Sequence, residues 1–147
     1  MALSSPQIQQ FKIDGYLVLP KLLSLNEITG LRELTEEQLN ERLKPYELEA
    51  DVQYPGAPTS TSSLGGGTIR RLLQAYQRSD VYRAQAERPE IISAIRQILD
   101  SDKVLLNPNH HNCIMTKQAA FSSETLWHRD TRYWNCLLYT SPSPRDS

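Results

Sequence analysis

Along the first half of the chain, apolar positions recur with helical spacing. Leu25, Ile28, Leu31, Leu34 or Thr35, Leu39 and Leu43 follow one another at three- and four-residue steps. They come after Ser24-Leu25-Asn26-Glu27, a serine answered three residues later by a glutamate, so a capped helix is predicted to about Lys44, with Pro45 ending it. A shorter helix is expected from Pro6, capped by Ser4 or Ser5, with Ile8 and Phe11 inward and Asp14-Gly15 turning the chain. Ser79-Asp80 can open another turn through about Glu87. Pro89 starts Glu90–Leu99, where Ile91, Ile95 and Ile98, with Ile92 and Leu99 beside them, form an apolar stripe expected to cover a sheet.

Between these helices the pattern changes. Tyr16–Leu19 reads as a short strand, Val104–Leu106 is apolar and β-prone, and His110–Lys117 reads as a strand buried on both faces. Ile69–Tyr76 looks helical or partly so. Residues 46–67 form a long connection, and Gln118–Thr125 a loop. Gly65-Gly66-Gly67 is no phosphate loop, since no Gly-Lys-Ser/Thr follows and no strand precedes it; a hinge for a closing loop is the expected role. No repeat is present at a useful period. The class is therefore α+β: a helical front half and the first edge of a sheet.

Composition narrows the function only a little. Of 147 residues, 39% are hydrophobic and 22% charged, with a formal net charge of -1, which gives no electrostatic footprint for a nucleic-acid partner. No apolar stretch approaches the ~20 residues needed to cross a bilayer, and no secretory leader is recognisable, so no membrane partner and a cytoplasmic location are expected. Cys113 and Cys136 do not make a disulfide framework.

The candidate chemistry lies late in the sequence. On an extended strand, residues two apart share a face, so His128 and Asp130 can offer an imidazole nitrogen and a carboxylate oxygen to one ion while Arg129 faces away. These are two of the three ligands of the facial triad of non-heme Fe(II) oxygenases; the third should be another histidine. His110 or His111 could instead join His128 and Asp130 in a zinc-dependent hydrolase. Lys117, Arg70 and Arg71 are candidates for anion contacts.

Longer segments carry more information: Phe11-Lys12-Ile13-Asp14-Gly15-Tyr16-Leu17-Val18-Leu19, Ile69-Arg70-Arg71-Leu72-Leu73-Gln74-Ala75-Tyr76, His110 to Lys117, Phe121 to Thr125, and Trp127-His128-Arg129-Asp130 followed by Arg132-Tyr133-Trp134. Together, from about Ile8 to Asn135, they resemble the phytanoyl-CoA dioxygenase family. The resemblance implies a cupin-like jelly roll (a double-stranded β-helix), Fe(II), 2-oxoglutarate as cosubstrate, O2, and hydroxylation of a small organic substrate. It implies His128 and Asp130 as iron ligands, with the second histidine and the principal 2-oxoglutarate-binding arginine downstream of Asn135. It further implies cosubstrate contacts from Arg70 or Arg71, Cys113 and the backbone of Arg129. Trp127, Tyr133 and Trp134 would shape the substrate pocket.

A jelly roll needs about eight strands, and only two or three candidates precede Asn135. From there the run Cys136-Leu137-Leu138-Tyr139-Thr140-Ser141-Pro142-Ser143-Pro144-Arg145-Asp146 resembles the translation of a transposase library adapter. Residues 1–135 are accordingly expected to be the N-terminal part of a single dioxygenase domain, and 136–147 a non-native tail. A fragment of this kind should be inactive by itself. A non-enzymatic jelly-roll binding module is the other alternative.

Overall fold

The computed structural model describes residues 2–106 and 112–127. Nine elements occur among them: α1 (Ser5–Asp14), α2 (Leu25–Asn40), β1 (Tyr46–Leu48), α3 (Glu49–Val52), β2 (Ile69–Leu73), α4 (Ala75–Arg78), α5 (Asp80–Ala86), α6 (Pro89–Leu99) and β3 (Cys113–Met115). The strands form an antiparallel sheet in the order β1-β2-β3.

The helix starts follow the local signals. The Ser4 hydroxyl accepts the Gln7 amide at 3.4 Å while the Gln7 side chain accepts the Ser4 amide at 2.8 Å, and Ser24 and Glu27 repeat the exchange at 3.3 and 2.8 Å. Each pair satisfies two backbone donors that a helix start leaves open. Ser79 caps α5, and Pro89 opens α6 at its first turn. Gly15, at φ 79, stops α1 in the left-handed conformation that glycine adopts without penalty.

α2 ends at Asn40, short of the expected Lys44. Arg42 turns left-handed at φ 52, and the Leu43 amide folds back to the Gln38 carbonyl at 3.0 Å, a helix-ending turn that closes before Pro45 is reached. The buried side of α2 also differs from the apolar stripe: Leu25 is exposed, whereas Gln38 is buried and accepts a hydrogen bond from Arg78 Nε at 2.6 Å. Thr35 meets the Tyr82 hydroxyl of α5 at 3.0 Å.

The sheet departs most from expectation. Residues 46–67 contain β1 and the single turn α3, and β2 occupies the stretch expected to be partly helical. β2 is the central strand: Tyr46 pairs with Leu72 and Glu47 with Arg71 on one side, and Arg71 with Met115, Leu72 with Ile114 and Leu73 with Cys113 on the other. Leu72 is completely buried, and Ile69 nearly so. Two adjacent arginines look like a solvated helix surface, but here Glu47 of β1 and Glu49 of α3 supply carboxylates, and Arg70 is buried and Arg71 half-buried.

Other expectations need smaller corrections. Tyr16–Leu19 is not a strand, and Tyr16 and Val18 are exposed; Val104–Leu106 has no regular structure. β3 covers only Cys113–Met115, with Met115 exposed, so it is not buried on both faces; His110 and His111 lie outside the described residues. The α6 stripe is half-buried, and α6 packs against α1, where the Leu3 amide donates to Gln97 Oε1 at 3.0 Å. The glycine run serves close packing rather than a hinge. A Cβ on Gly66 would lie 2.3 Å from the Ser60 carbonyl oxygen, and one on Gly65 would lie 2.3 Å from the Phe121 ring.

No described helix is long and apolar enough to cross a membrane.

Candidate functional site

Arg70 and Arg71 sit side by side in β2, and one carboxylate reaches both guanidinium groups. Both find carboxylates. Glu47 of β1 holds Arg71 Nη2 at 2.7 Å and lies 3.4 Å from Arg70 Nε. A register irregularity between Glu47 and Leu48 breaks the β1 ladder just before α3 begins. α3 then delivers Glu49, whose side chain is 0% exposed, to Arg70 Nη1 at 3.3 Å.

Ser123, buried in the loop after β3, completes this group. Its hydroxyl accepts from Arg70 Nη1 at 2.6 Å and donates to Glu49 Oε2 at 2.7 Å. The Tyr54 ring stacks on the Arg70 guanidinium, 4.7 Å from its centroid. Two carboxylates thus face two guanidinium groups, joined by a hydroxyl and an aromatic face, while Glu47 Oε1, Glu49 Oε1 and Arg71 Nε are buried without a hydrogen bond. Such pairing is what lets charge stay buried.

The electrostatics follow the geometry. Burial opposes ionisation of Glu49, but the hydrogen bonds from Ser123 and Arg70 outweigh it and hold the carboxyl below its ordinary value. Burial likewise opposes the charge on Arg71; the bound Glu47, with a smaller contribution from the Cys113 thiol, keeps Arg71 above its ordinary value.

Lys117 leaves β3 and reaches over the same loop, donating to the Ser123 carbonyl at 2.6 Å and to Thr125 Oγ1 at 2.9 Å. An ammonium has three donors, so these bonds leave one for a further acceptor. Cys113 is half-buried with a free thiol. Trp127 is 103% exposed. His128, Arg129, Asp130, Tyr133 and Trp134 lie outside the described residues, as do the rival ligands His110 and His111.

The structure therefore brings together Arg70, Arg71, Cys113 and Lys117 around the small sheet. It adds Glu47, Glu49, Ser123 and Tyr54, which the sequence reading did not single out. A signal existed: Glu47-x-Glu49 matches the two adjacent arginines in charge, but only the β1–β2 pairing shows that they meet. Arg78 was also missed. It ties the end of α2 to both strands by donating to Gln38 Oε1 at 2.6 Å and to the carbonyls of Leu43, Pro45 and Leu73 at 2.6, 2.8 and 3.0 Å. The described residues contain no cluster of three or more His, Cys, Asp and Glu side chains able to hold a metal. A cavity of about 300 Å³ along α2, lined by Leu23, Ile28, Leu31, Arg32, Thr35 and Glu36, includes none of the predicted site residues.

Helices flanking a small antiparallel sheet, with basic side chains gathered on its central strand, define a mixed α and β protein with a polar cluster beside the path to residue 128. The sequence profile of the phytanoyl-CoA dioxygenase (PhyH) family matches residues 11–147. The chain belongs to that family. It is similar to the ectoine dioxygenase of Bordetella bronchiseptica, with 26% identity over 134 residues, covering 91% of this chain and 39% of the relative. It is also similar to the ectoine dioxygenase of Streptomyces avermitilis, with 23% identity over 133 residues, covering 90% of this chain and 40% of that relative. The chain thus spans about two-fifths of the length of these relatives. No solved structure matches it.

Proposed function

We propose that the chain is the N-terminal part of an Fe(II)- and 2-oxoglutarate-dependent dioxygenase that hydroxylates a small organic molecule in the cytoplasm. Residues 1–135 would belong to a cupin-like jelly roll that continues in sequence not contained here, and 136–147 would be a non-native tail. The observation that carries this reading is the His128-x-Asp130 spacing within a chain of the phytanoyl-CoA dioxygenase family. His128 and Asp130 would hold the iron with a downstream histidine. Iron with 2-oxoglutarate supplies the oxidation of substrate by O2, with succinate and carbon dioxide released.

The protein's own groups supply position and charge. Lys117, with a donor to spare beside the loop that leads to His128, is the described cation best suited to a carboxylate of the cosubstrate. Arg70 and Arg71 fit that role poorly, because Glu47 and Glu49 already neutralise them. Arg129, Cys113, Trp127, Tyr133 and Trp134 remain the proposed further lining of the cosubstrate and substrate sites.

The test uses the full-length enzyme with Fe(II), 2-oxoglutarate and O2. Succinate should form in step with 2-oxoglutarate loss, and His128→Ala or Asp130→Ala should lower that rate by at least about 100-fold, since losing only an outer partner of a metal ligand already costs about 10–100-fold. Retained zinc together with turnover indifferent to 2-oxoglutarate would sink the proposal.

A further inference from the structure

We propose that Glu49, Arg70 and Ser123 form a positioning clasp that fixes where the segment leading into His128 and Asp130 departs from the sheet. Arg70 acts through this clasp and does not touch the cosubstrate. The functional consequence rests on the oxygenase proposal above; the clasp itself is a matter of geometry.

Ser123 stands five residues before His128. Its hydroxyl is used in both directions, accepting from Arg70 at 2.6 Å and donating to Glu49 at 2.7 Å, and the residue is buried. The same short stretch is fastened from other sides. The Glu124 amide donates to the Pro55 carbonyl at 3.1 Å, Ser122 Oγ accepts the Gln118 amide at 2.8 Å, and Lys117 bridges the Ser123 carbonyl and Thr125 Oγ1. Residues 122–125 are thus tied to α3, to β2, to the turn at residue 55 and to the exit of β3. Past Thr125 the side chains of Leu126 and Trp127 are exposed.

The chain length makes this fastening consequential. Two residues, Leu126 and Trp127, separate Thr125 from His128, so the three Cα-to-Cα steps span no more than about 11 Å. An error in the placement of Ser123 is therefore passed to the ligand pair over a short tether. Reacting groups misplaced by about 1 Å can lose about 100-fold in rate.

The surroundings of Arg70 assign it to the clasp. Its Nη1 faces Ser123 and Glu49, its Nε faces Glu47, its plane lies on Tyr54, and the residue is buried. With two carboxylates already against it, its field offers little to a third.

Arg70→Gln, Ser123→Ala, the double variant and Ser123→Thr in the full-length enzyme separate a clasp from a cosubstrate contact. Amide hydrogen exchange at 122–127 should rise by at least about tenfold in each of Arg70→Gln and Ser123→Ala, since each loses at least one charge-assisted hydrogen bond. The double variant should be little worse than the weaker single, and Ser123→Thr, which keeps the hydroxyl, should stay near wild type. kcat should fall in both single variants while KM for 2-oxoglutarate holds within about threefold. A KM raised more than about tenfold in Arg70→Gln alone would make Arg70 a cosubstrate contact and overturn the assignment. Unchanged exchange at 122–127 in both Ser123→Ala and Glu49→Gln would overturn the clasp even if Arg70→Gln failed to fold. Absence of 2-oxoglutarate consumption by the wild type would overturn the oxygenase proposal instead, and the exchange rates would still decide the clasp.

Discussion

The helical front and the three-stranded sheet are held by opposite kinds of contact. Ser4 with Gln7 and Ser24 with Glu27 stabilise their helices from three residues away. In the sheet, Arg70 reaches Glu49 across 21 positions and Ser123 across 53, and Ser123 reaches Glu49 across 74. The first kind can form in an isolated peptide. The second exists only after β1, β2 and the loop beyond β3 have come together. The local contacts are mostly exposed and modest in value, whereas the distant ones are buried and costly to break by half, because a lone charge would then remain inside.

Mutations can break this contrast, beginning with the largest effect. Arg70→Ala leaves Glu49 buried without its cation and should destabilise the fold by about 3–5 kcal/mol in urea unfolding; a loss below about 1 kcal/mol would mean that the sheet does not depend on the pair. Leu72→Ala, at the fully buried centre of β2, should cost about 2–4 kcal/mol by the same measurement, through lost apolar burial and the cavity left behind.

A pH titration sharpens the comparison on the local side. Hydrogen bonds from the Ser24 side chain and backbone, helped by Arg88, lower the Glu27 pKa from 4.5 to about 2. The folded value lies below the unfolded one, so the stabilisation is present above pH 4.5 and is lost as pH falls through about 2. Glu27→Gln should therefore be less stable than wild type near neutrality, with the difference closing between pH 4.5 and about 2 when both are followed by circular dichroism. A gap that stays constant across that range would refute the linkage. Glu49 has the same sign, its stabilisation being lost as pH falls below the ordinary carboxylate range. The smallest effect belongs to Asp80, whose exposed carboxylate meets Arg83 at 2.8 Å on the surface of α5. Asp80→Asn should shift stability by less than about 0.5 kcal/mol in urea.

This division explains which parts were legible beforehand. The N-terminal ends of α1, α2, α5 and α6 follow from Ser4, Ser24, Ser79 and Pro89, because each signal acts within one helical turn. The end of α2 was missed by several residues because Arg42 takes a left-handed turn normally given to glycine, and no composition rule announces it. β1 has no apolar alternation to set it apart from the connection around it, and the paired arginines of β2 give its pattern a helical look. Charged side chains count as solvent-facing until the partner that neutralises them is known. The candidate site divides in the same way. His128-x-Asp130 stands out by spacing, Arg70, Arg71 and Lys117 by charge and Cys113 by family resemblance, but Glu47, Glu49, Ser123 and Tyr54 have no local mark.

What the amino-acid sequence alone determined, then, was the family, the starts of the helices and the residues proposed for a metal. Those depend on residue type and on spacing along a few consecutive positions. The tertiary structure alone decided that Arg70 and Arg71 lie in a buried strand and that Glu49 and Ser123 engage Arg70 from distant segments. The physical reason is that a buried charge is stable only beside its counter-charge, and which counter-charge arrives is set by strand pairing rather than by proximity in the chain.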